Sequence, residues 1–174
     1  MQQKVPLWLR LHAKGSAGHA AMPPDDGGSV RKLVRALTAV ASIETPNRLT
    51  PEVEAYFHQA GAPRRDERGE VLRGIEHELD GPRVTRLLSP SFRALLHDTV
   101  ALTRLEAGTT VNSLPANAAA EVDIRLLPDE KTDAMLDRVR EAAGTGVEVE
   151  VLVSGTPVPA TSADTELLDR KSVV

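Results

Sequence analysis

The sequence predicts an α+β sandwich: a four-stranded antiparallel sheet with two helices on one face, in the chain order βαββαβ, plus a helical insertion after the first helix. Three observations predict it. Apolar and polar residues alternate along 5–12, 120–126 and 147–153, the period of half-buried strands. Two other stretches, after Ser29 and after Pro128, repeat their apolar residues at helical spacing. Between them, residues 44–98 carry no sustained strand pattern and are cut by proline again and again.

The elements follow in order. In 5–12, Val5, Leu7, Leu9 and Leu11 point one way, and Trp8, Arg10 and His12 the other. Residues 15–28 are rich in glycine and proline and read as one long loop. Ser29 is the expected N-cap of a helix that buries Val30, Leu33, Val34, Leu37 and Val40. Within 44–98, short helices are expected over 51–60, 67–80 and 90–97, and the apolar content reads as too thin for a core of its own. A strand carrying Val100, Leu102 and Leu105 ends at Gly108. The next strand alternates Ala120, Val122, Ile124 and Leu126 with Glu121, Asp123 and Arg125. Pro128-Asp129-Glu130 opens a helix through Met135, Leu136, Val139 and Ala143, stopped by Gly144, and a valine-rich strand follows. This is the split βαβ, or ferredoxin-like, arrangement. Its helix-free face carries Trp8, Arg10, His12, Glu121, Asp123, Arg125, Glu148 and Glu150, so it is polar and open.

Composition excludes several functions. The chain has 174 residues and a net charge of −4, with 21 basic against 25 acidic residues, which is no footprint for nucleic acid. Trp8, Tyr56, Phe57 and Phe92 are its whole aromatic content, too few for base stacking. Without cysteine there can be neither disulfides nor thiolate zinc sites. No apolar run approaches the roughly 20 residues that span a bilayer, so no membrane partner is expected. Met1-Gln2-Gln3-Lys4 lacks the apolar core of a signal peptide, and the expectation is a cytoplasmic protein.

Three local motifs carry more. Gly18-His19-Ala20-Ala21-Met22-Pro23 follows the first strand, Gly108-Thr109-Thr110-Val111-Asn112-Ser113-Leu114-Pro115 the second, and Asp123-Ile124-Arg125-Leu126-Leu127-Pro128 ends the third. Together, over about residues 5–160, they resemble the dimerisation (lid) domain of the co-catalytic zinc peptidase family that includes aminoacylase, carboxypeptidase G, succinyl-diaminopimelate desuccinylase and carnosinase. The insertion, with its Thr50-Pro51 start, looks like the branch of larger carboxypeptidases and N-acyl amino-acid hydrolases.

The resemblance implies a lid inserted in a zinc-binding domain, paired with a second lid in a homodimer, and acting on small peptides or N-acyl amino acids. It implies that His19 enters the partner's active site and polarises the scissile carbonyl, and that Asn112 and Arg125 bind the substrate's carboxylate or amide end. The chemistry suits those residue types. An imidazole N–H can stabilise the charge that builds on an amide oxygen, and a guanidinium binds carboxylates bidentately. Each residue also has a plainer reading: a turn for His19, a turn before Pro115 for Asn112, and a cross-strand partner of Glu148 or Glu150 for Arg125.

The metal ligands of that family are absent. None of the five histidines begins a His-x-Asp motif, so the two zinc ions are expected in a catalytic domain outside this sequence, with none bound by this chain. Residues 1–160 are then the lid, 44–98 its insertion, and 161–174 the truncated start of the returning catalytic domain. Asp169 to Val174 match a translated sequencing adapter and are expected to be an artefact. The rival reading is a stand-alone ferredoxin-like interaction or regulatory module without catalysis.

Overall fold

The computed structural model describes residues 3–157. The elements are β1 (Val5–Lys14), β2 (Gly18–His19), α1 (Gly28–Ala41), α2 (Pro51–Gly61), α3 (Glu67–Arg73), a 3₁₀ turn (Ile75–His77), α4 (Pro82–Leu87), α5 (Pro90–Arg93), β3 (Thr99–Ala107), β4 (Ser113–Leu114), β5 (Asn117–Leu126), α6 (Thr132–Ala143) and β6 (Val147–Ser154). Residues 5–45 with 99–156 form one compact unit, and 46–98 belong to another. The expected returning segment 161–174 lies outside the described residues.

The first unit is the predicted sandwich. Its four long strands run in the order β3-β5-β1-β6, every pair antiparallel. Leu7, Leu9 and Leu11 of β1 face Ile124, Val122 and Ala120 of β5, and all six are buried. Leu33, Ala36, Leu37 and Val40 of α1, with Met135 and Val139 of α6, close the same core. Alternation therefore does its work: a slip of one residue would turn every leucine of β1 to the polar face.

Three local boundaries depart from the sequence reading. Helix α1 starts at Gly28 with Gly27 as its cap, not at Ser29. Ser29 is 1% exposed, and its hydroxyl donates instead to the Pro115 carbonyl at 2.7 Å. Tertiary anchoring takes the hydroxyl that a cap would use. The second helix begins at Thr132, because residues 127–131 first make a turn in which the Glu130 N–H bonds to the Leu127 carbonyl. The expected helix 67–80 breaks at Gly74 into α3 and the 3₁₀ turn, α4 follows it, and the helix expected over 90–97 is helical only over Pro90–Arg93.

The insertion has a core of its own, against the expectation from its apolar content. Val53, Phe57, Val71, Leu72, Ile75, Val84, Leu88 and Leu96 form a separate buried cluster. Most of its helices are too short for periodicity to show a stripe, but α2, α3 and α4 each bury one or two apolar side chains. Their starts are encoded locally: Pro51, Pro82 and Pro90 sit in first turns, while Thr50 and Asp66 accept from the N–H groups of Val53 and Gly69. Phe57 is fully buried with its ring centroid 5.5 Å from that of Phe92. Phe57→Ala is expected to destabilise this unit by about 3–5 kcal/mol, measured by amide exchange over residues 51–96. A loss below about 1 kcal/mol would show that the cluster does not act as a core.

Candidate functional site at the paired loops

The sequence leaves 15–28 as loop, but the structure builds part of it into a second, two-stranded sheet. β2 pairs with β4, so that Gly18 faces Leu114 and His19 faces Ser113. The Ala20 N–H adds a bond of 3.0 Å to the Asn112 carbonyl. Two motifs separated by nearly a hundred residues thus form one ribbon, and it brings His19 beside Asn112.

The ribbon is held from below. At the end of β1 the Gly15 N–H donates to the Ala116 carbonyl at 2.8 Å. A Cβ on Gly15 would stand 2.4 Å from the Ser29 backbone nitrogen, so only glycine lets the strand pass the start of α1. Asp26 accepts from the Gly28 N–H at 2.9 Å and pairs with Lys32 at 2.6 Å, and both interactions, the lysine foremost, hold its carboxyl below the usual range. On the other loop, Thr110 and Ser113 join their hydroxyls, and Gly108 turns the chain at a φ of 24°.

His19 is exposed, and its ring is oriented by one bond. The Ala21 N–H donates to Nδ1 at 3.2 Å, and the Met22 N–H closes a turn on the His19 carbonyl at 3.0 Å. An Nδ1 that accepts a hydrogen bond leaves the proton of the neutral ring on Nε2. His19 therefore presents a donor outward. Beside it stand two apolar side chains that composition gave no reason to single out: Met22, 77% exposed, and Val111, fully exposed.

Arg125 is elsewhere. It lies on the open face of β5, with Nε and Nη2 donating to the Asp123 carboxylate at 2.7 and 3.0 Å and its guanidinium 5.4 Å from the Trp8 ring centroid. The plainer expectation, a cross-strand pair with Glu148 or Glu150, is not met: those carboxylates go to Lys14 at 3.9 Å and His12 at 3.1 Å. Asn117 is paired with Lys14 and Arg125 with Pro6, so Arg125 sits at the far end of the sheet from the ribbon. The eight steps from 117 to 125 span about 26 Å of strand. Within one chain, the structure unites His19 with Asn112 and keeps Arg125 apart from both.

The rest of the open face is an ion-pair lattice. Arg10 reaches Glu121 through Nε at 3.2 Å and through Nη2, Arg104 adds a second contact at 3.3 Å, and together they hold the Glu121 carboxyl low, Arg10 most of all. Among the described residues, the one group of three metal-ligating side chains is Glu54, His58 and Glu76. Three donors cannot hold a pair of ions, so the zinc pair implied by the resemblance does not fit the residues described here. No helix among them is long and apolar enough to cross a membrane.

Sandwich and ribbon together define an α+β domain whose paired loops leave His19 exposed. The chain belongs to the peptidase dimerisation domain family, whose profile matches residues 2–149. It is 30% identical over 170 residues to the N-fatty-acyl-amino acid synthase/hydrolase PM20D1 of Xenopus tropicalis, covering 95% of this chain and 32% of that protein. The corresponding Mus musculus protein is 28% identical over 174 residues, 95% of this chain and 33% of that one. The chain thus spans about a third of the curated relatives it matches. Human carnosine dipeptidase 1 shares the fold with a TM-score of 0.63 at 16% identity, over 98% of this chain and 41% of that one. An M20 family metallo-carboxypeptidase from Sulfolobus solfataricus does so with a TM-score of 0.61 at 14% identity, over 97% of this chain and 47% of that one. The comparisons do not favour the rival stand-alone module.

Proposed function

We propose that this chain is the dimerisation domain of a zinc-dependent hydrolase of amide bonds in N-acyl amino acids or small peptides, and that it lends His19 to the active site of a second copy. The observation that carries the reading is the β2–β4 ribbon, which brings the exposed His19, its Nδ1 taken by the Ala21 N–H, next to Asn112 in the backbone pairing. Such a donor stabilises the negative charge that gathers on an amide oxygen under attack. Asn112, which can donate and accept, and Arg125, a fixed cation, bind the polar ends of the substrate. Since Arg125 lies about 26 Å along β5 from Asn117, at the end of the sheet away from the ribbon, one site takes His19 and Asn112 from one copy and Arg125 from the other. The zinc pair belongs to a domain outside this chain. Residues 1–160 act as the lid, with 44–98 inserted. A chain without cysteine gains nothing from an oxidising compartment, which suits the cytoplasm.

The dimer has a natural seam. β3 is a sheet edge, and Leu102 and Leu105 on it are 48% and 62% exposed. Lys32 and Arg35 lie on the flank of α1 beside α6, so Val30 and Val34, 37% and 50% exposed, face the β3 side. An outer side without a neighbouring strand among the described residues, and a row of exposed apolar side chains, make this edge the one to pair with its own copy. The opposite edge, β6, exposes its apolar residues less, with Val151 and Leu152 each 38% exposed. Sedimentation of the purified chain at micromolar concentration is expected to show a dimer, and Leu105→Asp a monomer. A wild-type chain that stays monomeric, or a Leu105→Asp dimer as tight as wild type, would contradict the seam.

A further inference from the structure

The insertion brings together three side chains that the reading above does not use. Glu54 and His58 stand one turn apart on α2, so they share a helix face. Glu76 comes to them from the 3₁₀ turn, with His58 Nε2 and Glu76 Oε2 at 3.2 Å. One ligand atom from each residue lies within 4.8 Å of the other two. Two donors held at about 2.1 Å on one tetrahedral ion stand about 3.4 Å apart, so closing the group asks only for small rotamer shifts. The backbone on both sides is fixed by the local core, since Phe57 precedes His58, Ile75 precedes Glu76, and both are fully buried. The donor set is mixed, one imidazole nitrogen and two carboxylates, and it leaves room for water as a further ligand. That chemistry favours borderline transition cations such as zinc over magnesium or calcium, which prefer all-oxygen shells.

We propose that Glu54, His58 and Glu76 form a binding site for one divalent transition cation of the zinc type. It departs from the sequence expectation that this chain binds no metal. The third donor lies 18 residues from His58, beyond the reach of any local motif. The ion replaces the His58–Glu76 hydrogen bond and ties α2 to the 3₁₀ turn. Binding to the folded chain alone also raises its melting temperature.

The test uses the full chain without a polyhistidine tag, freed of metal by a chelator, and titrated with Zn²⁺ in a calorimeter. One saturable equivalent per chain is expected, with a rise in melting temperature that a chelator reverses. His58→Ala and Glu76→Gln are each expected to weaken binding by more than about 100-fold, beyond what losing an outer-shell partner typically costs. Glu76→Gln keeps the shape and a hydrogen bond to His58, and circular dichroism checks that both variants fold. His12→Ala, which removes a histidine of the other unit, should bind as wild type does. Absence of a saturable site, or binding unchanged in both folded variants, would overturn the proposal.

Discussion

With the metal-binding domain of the parent enzyme restored, His19→Ala is expected to lower turnover by about two to three orders of magnitude, the scale of one lost oxyanion donor. The expected size follows from the geometry of the ribbon. Nδ1 of His19 is occupied by the Ala21 N–H, so the ring offers a single donor, Nε2–H, and alanine removes it without disturbing the backbone pairing that holds the loop. Metal content and dimer stability are expected to stay as in wild type, because His19 is exposed and the bonds from the Ala20 N–H to the Asn112 carbonyl and from the Met22 N–H to the His19 carbonyl are backbone to backbone. The rate at saturating substrate is the measurement. Because the donor acts where charge develops, the loss falls on turnover and not on substrate affinity alone. A His19→Ala enzyme within about threefold of wild type would leave the histidine with only its turn-forming role, since a lost oxyanion donor costs far more.

The long elements of the fold were legible because each repeats one rule many times. Leu7, Leu9 and Leu11 state the β1 register three times over, and the Val122–Ile124–Leu126 series answers them in β5. Features set by single distant contacts were not legible. Ser29 reads as a cap until Pro115 is brought beneath it, and Gly15 reads as a loop glycine until α1 crosses it. The core of the insertion was hidden for another reason: in helices of four to seven residues such as α3 and α5, no apolar stripe has room to repeat.

The candidate site divides in the same way. His19 and Asn112 were named from their motifs, but nothing in either motif says that residues 18–19 and 113–114 pair. Two-residue strands carry no periodicity, and their signal is the shared pattern of a leading glycine and a closing proline in both loops. Met22 and Val111 stand inside the two motifs, but a single apolar residue in a loop is ordinary until its exposure is known. The alternation of β5 puts Arg125 on the open face, and there it lies beside Trp8. Its partner came out as Asp123, two residues away on the same face of β5, not as the acidic residues of β6, because those are taken by Lys14 and His12 on β1, the strand that lies between them.

The central claim is that His19 works in a second copy's site, and mixed dimers test it most directly. One subunit carries His19→Ala with its metal domain intact, and the other carries an intact His19 with its metal site destroyed. Each homodimer is impaired for its own reason: one lacks the donor in both sites and keeps only residual turnover, the other lacks the metal in both. In the heterodimer, the intact metal site of the first subunit receives the intact His19 of the second. The placement of Arg125 at the end of β5 away from the ribbon, about 26 Å along the strand from Asn117, makes this shared assembly the natural one. Purified heterodimers, isolated by two different affinity tags and assayed on an N-acyl amino acid, are expected to recover about half the turnover of the wild-type dimer, one working site of two. Verified heterodimers that remain as inactive as the two homodimers would contradict the account, because His19 would then act within its own subunit or not at all.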